Sequence, residues 1–83
     1  MAKKYRVCAD EQFLGHYHAA DGFSAIEKAI KVNFIYHPDI IGNEDCIFTA
    51  RKEMLEGEYS YTWRNFPWLV EEFEIPIKEK DVA

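Results

Sequence analysis

Hydrophobic and polar residues alternate with a period of two over most of the chain. A helical period appears clearly only once, between Asp21 and Tyr36. Residues 4–10 put Tyr5, Val7 and Ala9 on one face and Arg6, Cys8 and Asp10 on the other. Residues 13–19 set Phe13, Tyr17 and Ala19 against Leu14, His16 and His18. Alternation over such lengths marks half-buried strands, and the polar Asp10-Glu11-Gln12 between them predicts a hairpin. The apolar faces choose its register. Pairing Val7 with Tyr17 and Ala9 with Gly15 puts the apolar set on one side and leaves Glu11, Gln12 and Phe13 in the loop. A tight turn at Glu11-Gln12 would set Val7 beside His16 and mix the faces.

The helix is predicted from Asp21 to about Tyr36. Asp21 can accept bonds from the free amides of the first turn; Ser24 with Glu27 is the alternative cap. Phe23, Ile26, Ala29, Ile30, Asn33 and Phe34 recur at i, i+3, i+4 and form a stripe that faces a sheet. His37 precedes Pro38, so the helix ends there. Residues 37–45 read as a loop whose Ile40 and Ile41 tuck under the sheet edge.

A second hairpin follows, with Gly57 supplying positive φ in a turn at Glu56-Gly57. That turn pairs Met54 with Tyr59, Lys52 with Tyr61 and Ala50 with Trp63. Phe48, Ala50, Met54, Tyr59, Tyr61 and Trp63 then share the core face. Thr49, Arg51, Glu53, Ser60, Thr62 and Arg64 share the outer one. Beyond Asn65, Pro67 allows a short helix. Alternation of Leu69, Glu71, Phe73, Ile75 and Ile77 favours a last strand instead. The predicted fold is therefore α+β: a small antiparallel sheet in the order β-β-α-β-β-β with one amphipathic helix on one face. It forms one domain, residues 1–83, with residues 78–83 frayed. The expected core includes Val7, Tyr17, Phe23, Ile26, Ile30, Phe34, Phe48, Tyr61 and Trp63. A lone helix covers one side of a sheet, so the opposite side meets water or a partner.

Composition fits this reading. A chain of 83 residues holds one core. With 48% hydrophobic and 30% charged residues it folds rather than staying disordered. The aromatic share of 16% compensates for a small interior. A net charge of −5 disfavours nonspecific binding to nucleic acid or anionic membranes. No apolar run approaches the roughly 20 residues of a membrane span. Met-Ala-Lys-Lys-Tyr runs straight into a strand, so no signal peptide is expected. The expectation is a cytoplasmic protein with Cys8 and Cys46 reduced.

Three sets of side chains invite chemistry. In the predicted register Cys8 faces His16 and Arg6 faces His18, so Cys8, His16 and His18 converge as possible zinc or copper ligands. Arg6, His16, His18, Arg51 and Arg64 form a basic-leaning outer face that suits an anion or an RNA backbone. Asp39, Glu44, Asp45, Glu71, Glu72 and Glu74 supply concentrated negative charge toward a basic protein partner. No phosphate loop, nucleophile elbow or carboxylate pair in context is present. A Cys8–His16 dyad on an open sheet lacks a pocket and an oxyanion hole. The chain is thus expected to be non-catalytic and without a cofactor.

His18-Ala19-Ala20-Asp21, followed by Ala25-Ile26-Glu27-Lys28-Ala29, is similar to the strand-to-helix junction of the small, non-catalytic B subunit of phenylacetyl-CoA epoxidase complexes. The similarity covers about twenty residues. The chain departs from that subunit after Pro38. The resemblance implies a small subunit or adaptor. Sequence thus points to a small interaction protein that binds another protein, either an inhibitor of phage or mobile-element type or an accessory subunit. An edge strand offers a route to a homodimer. An RNA- or anion-binding domain and a small metal-binding protein are the alternatives.

Overall fold

The computed structural model describes residues 3–52 and 57–77. Four strands, β1 (Lys3–Ala9), β2 (Gln12–Ala19), β3 (Ile47–Lys52) and β4 (Glu58–Thr62), form one antiparallel sheet in the order β2-β1-β3-β4. The helices are α1 (Gly22–Asn33), α2 (Pro38–Ile41) and α3 (Pro67–Glu72), and a 3-10 turn, Trp63–Asn65, joins β4 to α3. The α+β class with a helix on one face stands. The fifth strand does not: residues 67–72 are helical. Phe66, Leu69, Val70 and Phe73 lie at i, i+3, i+4 and i+7, and Pro67 occupies the first turn, where its missing amide costs nothing. Likewise the 37–45 segment is not all loop, because Pro38 starts a single helical turn.

The first hairpin also departs from its predicted register. Tyr5 faces Tyr17 and Val7 faces Gly15, but Cys8 faces Phe13, so Leu14 is an extra residue in β2. This bulge lets Asp10-Glu11 form the turn, with Asp10 at φ 51, a conformation Asp tolerates. It also swaps two faces: Leu14 is buried, while Phe13 is 42% exposed. Gly15, at φ 125, supplies the backbone freedom beside it. The second hairpin is offset too. Ala50 faces Tyr59 and Phe48 faces Tyr61, instead of Ala50 facing Trp63. Trp63 leaves the sheet for the 3-10 turn yet is fully buried. From Gly15 to Ala19 and in the second hairpin the pairing moves by an even number of residues, so the facing of Tyr17, His16, Arg51 and Ser60 is preserved. Met54, Glu53, Glu56 and the predicted frayed tail lie outside the described residues.

The α1 stripe packs as its spacing requires. Ile26, Ala29 and Ile30 are buried, and Phe23 and Phe34 pack against the core. Asp21 Oδ1 accepts the Ser24 amide at 2.8 Å, so Asp21 is the cap. Gly22 lets the helix approach the sheet: a Cβ there would stand 3.1 Å from Tyr59 Cδ2. The buried polar residue Asn33 is satisfied. Its amide donates to Tyr17 OH at 2.6 Å and Ala29 O at 2.8 Å, and Tyr17 OH donates to Leu14 O at 3.1 Å. This chain of bonds fastens the β2 bulge to the helix. Phe48, Trp63, Phe66 and Leu69 complete the core from the same side of the sheet. Trp63 Nε1 donates to Ile41 O at 2.7 Å, tying α2 to the layer. Ile41 is buried and Ile40 partly so, as a tucked loop requires.

Candidate functional site

Among the described residues, every helix packs on the inner face of the sheet. Among the same residues, the outer face has no such cover. Successive outward positions are His16 and His18 on β2, Lys4, Arg6 and Cys8 on β1, Ile47, Thr49 and Arg51 on β3, and Glu58, Ser60 and Thr62 on β4. Most are exposed; Cys8, Thr49 and Thr62 are half-buried by their neighbours. Antiparallel sheets tolerate one such wet face.

The cross-strand register arranges these residues in rows. One row runs His16, Arg6, Arg51, Glu58. The next runs Phe13, Cys8, Thr49, Ser60. Residues directly opposite stand about 4.5–5.5 Å apart at Cβ, so the Arg6 and Arg51 stems are close neighbours. Arg6 turns toward the second row: its guanidinium carbon lies 4.7 Å from the Phe13 ring centroid, and Nη1 donates to Cys8 Sγ at 3.2 Å. Phe13 also meets the His16 ring edge-on, centroids 5.4 Å apart. The aromatic ring, two histidines and two guanidiniums therefore share one surface.

The predicted basic set is partly united. Arg6, His16 and Arg51 share a row, and His18 stands beside it, opposite Lys4. Arg64 belongs to the 3-10 turn and does not join the sheet face. The predicted metal set loses the adjacency it was built on. Cys8 faces Phe13 rather than His16, and Arg6 faces His16 rather than His18. Among the described residues, no three His, Cys, Asp or Glu side chains are grouped to hold a metal ion. Arg6 between Cys8 and His16 would also repel a cation.

The acidic set is divided among elements. Asp39 lies in α2, with Glu44 and Asp45 in the turn after it; Glu71 and Glu72 lie in α3, with Glu74 just beyond. A shallow hollow of about 440 Å³ joins Asp39, Ile40 and Asn43 to Asp10, Glu11 and Gln12 of the hairpin turn. Asp10 is structural there: its Oδ1 accepts the Ile47 amide at 3.1 Å, and its own amide donates to Ile47 O at 2.8 Å. Burial, with the Asp10 carboxylate adding to it, pushes the Cys46 thiol up to about 12. Cys46 is therefore an inert core residue.

Sequence reasoning missed Phe13 and Ile47 on the outer face. The signal for Phe13 was Gly15, since a glycine inside a strand pattern often marks a bulge. Among the described residues, no helix is long and apolar enough to cross a membrane. Comparisons with protein-family models, curated proteins and solved structures gave no match to this chain.

Proposed function

We propose that this chain is a small non-catalytic interaction protein that binds another protein through its helix-free sheet face. The observation that carries the reading is the division of the sheet into two sides. One is filled by Ile26, Ile30, Phe48, Trp63 and Phe66. The other presents Phe13, Arg6, Arg51 and Ile47 to solvent. Exposed aromatic and arginine side chains are enriched at protein interfaces. The strand order leaves β2 and β4 as edges, which adds a route to strand pairing or to a homodimer. An inhibitor of phage or mobile-element type and an accessory subunit both fit a domain of this size, and a cytoplasmic setting suits its two free thiols.

The test is affinity capture from native lysate with the wild-type chain, with Thr49→Arg and with Lys31→Ala. Thr49 lies in the middle of the open face and Lys31 on the exposed side of α1. Capture of a defined protein by wild type and Lys31→Ala, lost with Thr49→Arg, is the expected result. Capture indifferent to Thr49→Arg sinks the reading.

A second reading, binding of RNA or another anion, is favoured by one observation: Arg6 lies opposite Arg51 with His16 beside it. The net charge of −5 opposes it for a long polyanion.

A further inference from the structure

Like charges directly opposite each other across a ladder destabilise a sheet. Arg6 and Arg51 are such a pair, at the centre of the open face. Among the described residues, neither has a carboxylate within ion-pair distance. A guanidinium carries five N–H donors, and Arg6 places one of them on a thiol sulfur, a weak acceptor. Arg6 and Arg51 are both exposed, on a chain whose net charge is −5. Glu58 stands opposite Arg51 and the Phe13 ring lies under Arg6, yet neither gives the arginines an ion pair; places where a fold breaks a local rule are where function is to be sought.

The apolar surroundings narrow the ligand. Phe13 and Ile47, 42% and 47% exposed, lie on the same face one row or more beyond the arginines. Outward positions along a strand repeat every 6.5–7 Å or so, the repeat of alternate side chains in any extended peptide. Resting on the reading of this face as a protein-docking surface, we infer that it takes an extended acidic segment of the partner, with a carboxylate between Arg6 and Arg51 and an apolar side chain beside Phe13 or Ile47. Charge complementarity selects the acid, and the guanidinium forks favour bidentate pairing with a carboxylate. A nucleic acid fits less well. The two arginines span only the neighbouring strands β1 and β3, roughly 5 Å, before Glu58 ends the row. A run of phosphates would pass from that strip onto a negative surface.

The experiment measures anisotropy of labelled synthetic peptides with the full chain. One peptide alternates Glu with Leu, one alternates Lys with Leu, and a labelled oligouridine is the third probe. The Glu-Leu peptide should bind, the Lys-Leu peptide should not, and oligouridine should bind more weakly than Glu-Leu. Arg6→Gln with Arg51→Gln should weaken Glu-Leu binding about tenfold or more, and Phe13→Ser by a smaller factor. Arg6→Glu with Arg51→Glu should reverse the preference to Lys-Leu, a gain that an unfolded variant cannot give. Absence of Glu-Leu binding, indifference to the paired Gln substitutions, or tighter oligouridine binding overturns the inference. The two failures are separable. If the captured partner is lost with Thr49→Arg but kept by the paired Gln variant, the docking face stands and its acidic ligand falls.

Discussion

Arg6 on β1 stands directly across the central ladder from Arg51 on β3. A double-mutant cycle with Arg6→Gln and Arg51→Gln removes the separate effects of the Phe13 contact and of Glu58. The expected coupling is repulsive, about 0.2–1 kcal/mol at low salt. It should shrink toward zero near 1 M salt, where the Debye length is roughly 3 Å. Urea titration of the four proteins at two ionic strengths measures it. An attractive coupling would mean that something other than solvent separates the two charges.

The α1 cap has its own acid signature. The Ser24 amide, followed by the Ser24 side chain, holds the Asp21 carboxyl below its ordinary value of 3.8. The folded state therefore releases this proton more readily than the unfolded chain. The stabilisation is present above the unfolded value and fades as pH falls through the folded one. Asp21→Asn keeps an acceptor and should flatten that acid dependence with little change at neutral pH. Asp21→Ala should cost about 0.5–2 kcal/mol at neutral pH. Denaturant titrations at pH 7 and in acid separate the two variants.

The cysteines should differ in reactivity. Cys8 is half-buried on the outer face and Cys46 fully buried. A disulfide-exchange reagent at mild alkaline pH should label Cys8 in the native protein and Cys46 only on unfolding. Because burial raises the Cys46 pKa, its stabilising effect is complete below about 9.0 and is lost as pH rises toward about 12. Cys46→Ala should remove this alkaline component. Equal labelling rates for both thiols in the native state would contradict the packing.

Ile30 is fully buried on the α1 stripe. Ile30→Ala should cost about 2–5 kcal/mol, read from the midpoint of a urea transition. A loss under roughly 0.5 kcal/mol, typical of surface sites, would place the stripe elsewhere.

How much of this was legible in the chain depends on which residues are asked. The α1 stripe and the inward facing of Val7, Phe48 and Ala50 follow from spacing alone, whereas the choice of Asp21 over Ser24 as cap needed the structure. So does the outward facing of Arg6, His16 and Arg51, because the pairing around these residues slips by an even number and an even slip conserves the face. The exact partners were not legible. The Leu14 bulge exchanges the roles of two adjacent apolar residues, and either assignment satisfies a count of hydrophobic positions. Leu69 and Phe73 fit alternation and helical spacing equally well. Phe66, fully buried and stacked on Phe23 at 4.5 Å, breaks that tie in favour of a helix. Its importance was hidden because it precedes a proline and so reads as turn.

The place of β1 between β2 and β3 has a consequence for biosynthesis. On the ribosome β1 emerges first and meets β2 almost at once, since only Asp10 and Glu11 separate them. Its other neighbour arrives only after α1 and α2 have been made. During that interval the nascent hairpin carries one finished ladder and two bare edges, of which only the β1 edge is covered in the complete sheet. The β1 edge therefore stays open to pairing until Ile47–Lys52 closes the sheet.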